Sequence, residues 1–267
     1  MLDQVKTIIA VASGKGGVGK STTAANLALA LQAEGKKVGL LDADIYGPSI
    51  AMMFGVPEGQ RPESPDGKSF MPIIAHGLAT MSMGYLVTAK TPMAWRGPMA
   101  GGALQQMLTQ THWGELDVLV VDMPPGTGDI QLTLAQKAEV AGAVIVTTPQ
   151  DIALLDAKKG IEMFTKVKIP VLGIVENMAV HIFSQCGQED SIFGAGGGES
   201  VAEQYSTQLL GSLPLDRSIR ERGDQGMPSV IAEPEGKIAQ SYREIAVKVL
   251  EQLAGEGGDS GPEIVFE

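Results

Sequence analysis

Residues 14–21 read GKGGVGKS, and this stretch decides the fold. An apolar run, residues 7–12, lies directly before it, and an alanine- and leucine-rich run, residues 22–34, follows it. A strand, a glycine-rich turn and a helix in this order predict a phosphate-binding loop, because glycines let backbone N–H groups approach phosphate and the helix N-terminus adds its dipole. The stretch fits G-x-x-x-x-G-K-[ST] completely, so a glycine-rich turn that binds nothing is the weaker interpretation.

The polar side chains of this loop have separate expected roles. Lys20 is predicted to neutralise the β- and γ-phosphates of a nucleotide, and the Ser21 hydroxyl is placed to coordinate Mg²⁺. Lys15 is a second lysine in the loop, better placed to reach a partner's nucleotide than its own; the alternative is a solvated surface lysine. This resembles the MinD-like branch of P-loop ATPases, whose deviant Walker A lysine marks a nucleotide-sandwich dimer. The expected ATP-binding residues here are Gly14, Lys15, Gly16, Gly17, Val18, Gly19, Lys20, Ser21 and Thr22.

Short apolar runs recur along the chain without strict alternation, at residues 7–12, 38–41, 116–121, 143–147 and 171–175. Such runs predict strands that are buried on both faces. Helical patterns lie between or after them, at residues 22–34, 152–167 and 234–253. This alternation predicts an α/β fold, a mainly parallel sheet with helices on both faces. We expect one P-loop ATPase domain over residues 1–254 and an acidic, glycine-rich tail over residues 255–267.

Composition excludes several classes of protein. The chain has 267 residues, with 31 acidic residues against 20 Lys and Arg and a formal net charge of -11, which disfavours a nucleic-acid surface or attraction to anionic lipid. One cysteine forms neither an intrachain disulfide nor a multi-cysteine metal site within one chain. The first residues lack the pattern of a signal peptide, and no apolar run approaches the ~20 residues of a membrane span. We therefore expect a cytoplasmic protein with no membrane and no nucleic-acid partner.

Carboxylates at the ends of two predicted strands are expected beside the nucleotide. Asp122 follows the run 116–121 as a Walker B aspartate, and we assign it to Mg²⁺ through water. Asp42 and Asp44 follow the second strand in LLDADIYGPS, at the edge where open α/β sheets bind ligands. By resemblance to the MinD-like branch, Asp44 orients or deprotonates the attacking water, and Asp42 supports the magnesium shell or the loop backbone. The alternative role for an aspartate at such a position is to cap a helix, and for Asp129 both roles stay open.

Recognition of the base is predicted from position alone. Asn177 ends the strand VLGIVEN, where related ATPases use an asparagine amide to read adenine. Pro214 and Asp216 follow another short apolar run, and their segment is expected either to close over the base or to form a structural turn.

Seven motifs together resemble one family, the Mrp (ApbC) iron–sulfur cluster carrier ATPases. They span nearly the whole chain and read GKGGVGKST, LLDADIYGPSI, WRGPM, DMPPGTGDIQLTLAQ, TTPQDIALLDAKKGI, LGIVENM and IFGAGGG. The resemblance implies a homodimeric ATPase of slow turnover that assembles [4Fe–4S] clusters or transfers them to apoprotein clients, with assembly factors as further partners. Many bacterial members carry an additional N-terminal domain, which we expect this chain to lack.

The family bridges its cluster between two subunits with a C-x-x-C pair from each chain, and here the pair is incomplete. Cys186 matches the second position, but Phe183 stands at the first and a phenylalanine does not ligate iron. A symmetric dimer therefore offers two thiolates where the cluster takes four. His181 lies nearby and imidazole binds iron, but a histidine in such a position is more often a hydrogen-bonded or exposed structural residue. We expect cluster binding that is weak, transient or absent.

Two other functions stay open as alternatives. A nucleotide-switched regulatory or positioning ATPase of MinD or ParA type would need a basic amphipathic C-terminal helix for membranes or a basic surface for DNA. The net charge of -11 and the acidic residues after 254 support neither. The second alternative is a cluster-free scaffold that keeps the family partners and has lost cluster chemistry.

Overall fold

The computed structural model describes residues 2–86, 97–128, 131, 138–183 and 185–256. Asp129, the first two residues of the WRGPM motif and residues 257–267 of the expected tail lie outside this part of the chain.

The described residues contain ten strands, eight of which form one sheet in the order β10-β7-β6-β1-β5-β2-β4-β3. Neighbouring strands of this sheet run parallel except for β3, which is antiparallel to β4. The remaining two strands, β8 and β9, form a separate antiparallel hairpin. The strands are β1 Val5–Ala12, β2 Val38–Asp42, β3 Ile73–Ala75, β4 Leu78–Ser82, β5 Leu116–Asp122, β6 Val140–Thr147, β7 Val171–Glu176, β8 His181–Ile182, β9 Glu189–Asp190 and β10 Leu209–Ser212.

Helices cover both faces of the large sheet. They are α1 Lys20–Ala33, α2 Ile50–Met53, α3 Met83–Leu86, α4 Gly97–Gln110, α5 Asp151–Lys166, α6 Gly197–Gln204, α7 Arg217–Asp224, α8 Ser229–Ala232 and α9 Lys237–Glu256, after a short 3-10 helix at Leu2–Gln4. None of the helices in the described ranges is long and apolar enough to cross a membrane.

Alternate residues of the central strands point into two separate apolar cores. Ile8 and Ala10 of β1 pack with side chains of α4 and α5, whereas Ile9 and Val11 pack with side chains of α1 and α9. A strand that is buried on both faces has no polar face, so its sequence shows an unbroken apolar run. The predicted parallel sheet with helices on both faces is therefore confirmed.

The carboxyl ends of the central strands lie at one edge of the sheet. Val11 pairs with Asp122 across β1 and β5, and Asp42 pairs with the same Asp122 across β2 and β5. The loop after β1 therefore begins beside the two carboxylates that end β2 and β5. This register brings the predicted site residues together.

Candidate nucleotide-binding site

The phosphate-binding loop joins β1 to α1, as its sequence predicts. Gly19 caps α1 with a φ of 84°, in the left-handed region that favours glycine. A Cβ atom on Gly19 would also lie 2.1 Å from the Nδ2 atom of Asn177, whose amide donates to the carbonyl oxygen of Val18 at 2.9 Å. The loop is thus fixed against the end of β7, and Gly19 is required both by backbone conformation and by space.

Lys20 is the centre of the site. Its Nζ atom lies 2.6 Å from Asp122 Oδ1, 3.6 Å from Asp44 Oδ2 and 3.1 Å from the hydroxyl oxygen of Ser21. The lysine side chain is only 6% exposed, so these contacts are shielded from solvent. The structure therefore brings together the lysine, the hydroxyl and two of the three aspartates that the sequence singles out.

Asp42 is buried next to this group and organises the loop after β2. Its Oδ1 accepts from the backbone N–H of Asp44 at 3.1 Å, and its Oδ2 accepts from the N–H groups of Ser49 and Ile50 and from the Ser82 hydroxyl. Burial raises the pKa of Asp42 to about 7, and the charge of Asp122 adds to the rise. Because donors of the protein occupy both oxygens, support of the loop backbone is the role that we propose for Asp42.

The two carboxylate oxygens of Asp122 differ in their contacts with the described residues. Lys20 donates to Oδ1, whereas Oδ2 is buried with no hydrogen bond from any described residue. Burial raises the pKa of Asp122, and the Lys20 ammonium opposes that rise. A buried carboxylate oxygen without a hydrogen bond costs folding free energy, so such an oxygen in a native protein needs an explanation. This oxygen and the Ser21 hydroxyl are hard oxygen ligands of the kind that Mg²⁺ prefers. The residues present therefore fit a magnesium ion.

Lys20, Ser21 and Asp44 line a cavity of about 400 Å³, whereas Asp42 and Asp122 are buried behind them and do not line it. We call the part of the wall formed by the loop and these three residues the phosphate end. Asn177, Pro214 and Asp216, which are expected to contact the base, also line the cavity, and we call the part of the wall that they form the base end. Asp216 is also the N-cap of α7, where its Oδ1 accepts from the backbone N–H of Ser218 at 2.7 Å. The segment at Pro214 is therefore both a turn that starts a helix and a wall of the cavity. Of the nine predicted loop residues, Gly14 and Val18 do not line the cavity.

Helices α7 and α2 also form walls of the cavity, which the sequence did not predict. Ile219 and Arg220 of α7 and Met52 of α2 line it, and so does Ser49, whose buried hydroxyl oxygen has no partner among the described residues. The sequence of α7, RSIRERGD, is almost entirely polar and carries no apolar periodicity. The one local signal was Asp216, since aspartate is among the residues preferred at the N-cap of a helix.

Lys15 also lines the cavity. Its side chain is half-buried, and within the described ranges its ammonium forms no ion pair. Its backbone carbonyl accepts from the Ser13 hydroxyl at 2.8 Å, which holds the loop conformation and leaves the amine uncommitted.

Cys186 is exposed and lies in the turn between β8 and β9. Phe183 is 42% exposed in the same hairpin, and His181 donates from Nδ1 to the carbonyl oxygen of Leu215 at 2.9 Å. His181 is thus engaged as a hydrogen-bonded structural residue. Within the described ranges, no group of three or more His, Cys, Asp or Glu side chains is arranged to hold a metal ion.

Known proteins resemble the chain over most of its length. The sequence profile described as NUBPL iron-transfer P-loop NTPase, of the ParA group, matches residues 4–250. A protein from Pseudomonas fragi named iron-sulfur cluster carrier protein is 66% identical over 246 residues, which are 92% of this chain and 86% of that protein.

Solved structures resemble the fold as well. A nucleotide-binding protein from Archaeoglobus fulgidus in complex with ADP is 39% identical with a TM-score of 0.76, covering 88% of this chain and 91% of that one. The cell division ATPase MinD from Pyrococcus furiosus has a TM-score of 0.68 at 24% identity, covering 92% of this chain and 98% of that one, and shows the fold alone.

Proposed function

This chain belongs to the family of NUBPL iron-transfer P-loop NTPases, and on that premise we propose that it is a homodimeric carrier of iron–sulfur clusters that binds and hydrolyses ATP. The observation that carries the proposal is the contact of Lys20 with both Asp122 and Asp44 directly after the glycine-rich loop. A positive charge for phosphate and two carboxylates for metal and water are the groups that nucleotide hydrolysis needs.

Mg²⁺ is the cofactor that this group of residues fits. The Ser21 hydroxyl would hold it directly, and Asp122 would hold it through water, using the oxygen that has no other partner among the described residues. Bound there, Mg²⁺ neutralises charge on the β- and γ-phosphates during transfer.

The chain's own groups carry the remaining steps. The backbone N–H groups of the loop and the Lys20 ammonium hold the phosphates, so that the γ-phosphate lies near Asp44. Asp44 orients a water molecule and accepts its proton as the water oxygen bonds to the γ-phosphorus. The bond from that phosphorus to the bridging oxygen breaks, and ADP leaves with the electron pair. Asp42 keeps Asp44 in place through the backbone of the loop.

Lys15 supports the proposed dimer. Its half-buried amine lies at the cavity and has no ion pair within the described ranges, so it is available to a nucleotide held by a second copy. A cation supplied across an interface stabilises the charge of phosphoryl transfer. This arrangement supports the proposal of a homodimer in which each copy completes its partner's site.

The [4Fe–4S] cluster is the proposed cargo, and its clients are apoproteins, with assembly factors as further partners. Cys186 is an exposed thiol, and a dimer would supply two such thiols. Two thiolates leave half of the cluster irons without a cysteine ligand. We therefore propose weak or transient holding of the cluster, in a cytoplasmic protein that engages neither membrane nor nucleic acid, as its net charge of -11 favours.

The test measures ATP turnover and cluster delivery with the same protein. We expect wild-type protein to release phosphate from ATP, and Lys20→Ala to lose this activity by about a hundredfold because the phosphate charge is no longer balanced. Lys37→Ala is the matched control, since Lys37 is exposed and pairs with Glu115 away from the cavity. After anaerobic reconstitution with iron and sulfide, we expect transfer of cluster to the apo form of a [4Fe–4S] enzyme, measured as recovered activity of that enzyme.

Each function has its own contradicting result. Equal turnover by wild-type protein and Lys20→Ala would refute the ATPase assignment. Turnover without iron uptake or transfer would favour the cluster-free scaffold, and ATP-dependent pelleting with liposomes or DNA would favour a positioning ATPase instead.

A further inference from the structure

A hydrogen-bonded connection leads from the base end of the cavity towards the β8–β9 hairpin. The backbone N–H of Ala179 donates to the carbonyl of Leu213 at 3.0 Å, and the N–H of Leu215 donates to the carbonyl of Val180 at 2.8 Å. These two bonds hold the chain between β7 and β8 beside the segment that starts at Leu213. Leu215 itself lines the cavity, so one partner in this connection is part of the cavity wall.

His181 adds a side-chain link to the same wall. Its Nδ1 atom lies 2.9 Å from the carbonyl oxygen of Leu215. Because a carbonyl oxygen only accepts hydrogen bonds, Nδ1 carries the proton and donates it. His181 is the first residue of β8 and pairs with Asp190 of β9. A single imidazole therefore joins the cavity wall to the hairpin.

The ring of His181 also contacts the turn that carries the thiol. The ring of Phe183 meets it edge-on, with the two centroids 4.9 Å apart and the planes at 77°. The Phe183 N–H donates to the carbonyl of Gln188 at 2.9 Å, and the Phe183 carbonyl accepts from the N–H of Gly187 at 2.8 Å. Cys186 lies inside the turn that these two bonds close.

Little else in the described structure fixes this hairpin. Strands β8 and β9 pair through two residue pairs only, and neither strand belongs to the large sheet. Two-stranded hairpins are marginally stable by themselves, and weakly held segments open locally at low free-energy cost. The side-chain hydrogen bond from His181 to Leu215 is therefore placed, with the backbone bond beside it, to restrain the motion of this turn.

We propose that His181 is a positioning residue that transmits nucleotide binding to the turn carrying Cys186. The inference rests on the proposed function, since it requires a nucleotide in the cavity. A nucleotide seated against residues 214–216 restrains the Leu215 carbonyl, and the hydrogen bond then restrains the His181 ring and the Phe183 ring packed on it. The turn then samples fewer conformations, so the exposed thiol presents fewer accessible orientations to a reagent and reacts more slowly.

Thiol labelling tests this directly, because the chain has one cysteine and every labelled thiol is Cys186. The rate of its reaction with a maleimide is measured with and without saturating Mg²⁺–ADP, so that hydrolysis does not enter. We expect ADP to slow labelling of wild-type protein by about fivefold, at the lower end of coupling between sites.

Variants of His181 separate its hydrogen bond from its ring. His181→Phe keeps a ring beside Phe183 but has no donor, and we expect ADP to slow its labelling by less than about twofold. His181→Asn has an amide that donates to the same carbonyl, and part of the protection should return. His112→Ala is the matched control, since His112 is exposed and does not line the cavity, and it should keep the wild-type ratio.

Nucleotide binding is measured on the same samples with a fluorescent ADP analogue. Failure of wild-type protein to bind refutes the proposed function, and the inference falls with it. If ADP binds but leaves the labelling rate of wild-type protein unchanged, the inference is wrong and the proposed function stands. The same holds if a His181→Phe variant binds ADP and keeps the full protection of its thiol. Protection that disappears at much lower protein concentration comes from a second copy covering the thiol, and it too overturns the role of His181.

Discussion

Asp42 and Asp122 are direct partners across β2 and β5, and both carboxylates are fully buried. Lys20 donates to Asp122, whereas Asp42 receives hydrogen bonds from its own loop and from Ser82. Burial raises the pKa of Asp42 from the ordinary value of 3.8 to about 7, and the nearby charge of Asp122 acts in the same direction. Two buried carboxylates near a single ammonium group repel each other, and a divalent cation would relieve this repulsion.

This pair makes stability depend on pH. A carboxyl whose pKa is higher in the folded protein binds a proton more tightly there than in the unfolded chain. Its contribution to folding stability is therefore fully present below pH 3.8, the ordinary pKa of the group, and is lost as pH rises through about 7. We expect the free energy of unfolding without nucleotide or Mg²⁺ to fall on the order of a few kcal/mol across that window. Urea denaturation at a series of pH values measures it.

Two variants identify the titrating group. Asp42→Asn removes the titration, so its stability should change less with pH than that of wild-type protein. Asp66→Asn is the control, because hydrogen bonds from Ser69 and Lys68 lower the pKa of Asp66 to about 2 and it stays ionised throughout. Parallel pH profiles for wild-type protein and Asp42→Asn would contradict the assignment.

The phosphate end of the site was predictable because each of its side chains follows a strand in a parallel sheet. Apolar runs locate the strands, and the carboxyl ends of parallel strands share one edge. Lys20, Asp44 and Asp122 are therefore neighbours in space although they are far apart in sequence. The structure added what pattern cannot supply: which oxygens of Asp42 are occupied, and that one oxygen of Asp122 has no partner among the described residues.

Asp44 is expected to affect turnover far more than binding. Asp44→Asn keeps the size of the side chain but removes the base, so ATP turnover should fall by about a hundredfold while the affinity for ADP changes little. Asp117→Asn is the matched control outside the cavity, since Asp117 pairs with Lys6 and does not line the site. A loss of turnover in Asp44→Asn that matches its loss of nucleotide affinity would show a role in binding instead.

Gly19 should tolerate no side chain. Gly19→Ala forces an alanine to a φ of 84° and places its Cβ 2.1 Å from the Asn177 amide, so we expect a loss of about 2 kcal/mol or more in unfolding free energy. Gly16→Ala is the control in the same loop, because nothing lies within 4 Å of a Cβ there. Chemical denaturation of both variants measures the difference, and equal stabilities would contradict the role given to Gly19.

The base end could not be predicted in the same way. Helix α7 lies against the cavity because the chain after it approaches α2: a Cβ on Gly226 would lie 2.4 Å from the Cα of Gly55. His76 reinforces this contact with a 2.8 Å hydrogen bond between its Nε2 atom and the Gly226 carbonyl. Contacts between residues this far apart in sequence leave no local pattern, and the polar sequence of α7 offers no periodicity to place it.

Gly226→Ala tests that contact. The added methyl group would collide with the backbone of Gly55 at a residue whose φ is 75°, so we expect a destabilisation of about 2 kcal/mol or more and weaker ADP binding as α7 shifts. Gly102→Ala in α4 is the control, since it has open space and a helical glycine replaced by alanine gains about 0.5–1 kcal/mol. Unchanged stability and ADP affinity in Gly226→Ala would contradict the proposed packing of α7.

We expect Phe183 to limit how firmly a cluster is held, because it stands where the family has a ligand cysteine. Phe183→Cys gives each chain two thiols in one turn, so a dimer would offer four thiolates, and we expect stable cluster in this variant against weakly held, easily lost cluster in wild-type protein. Anaerobic reconstitution followed by visible absorbance and iron analysis measures it. Phe183→Ser controls for loss of the ring without a new thiol and should behave as wild-type protein does, whereas Phe183→Cys/Cys186→Ser should lose the gain. Equal, stable cluster in wild-type protein and Phe183→Cys would mean that ligands other than cysteine complete the site.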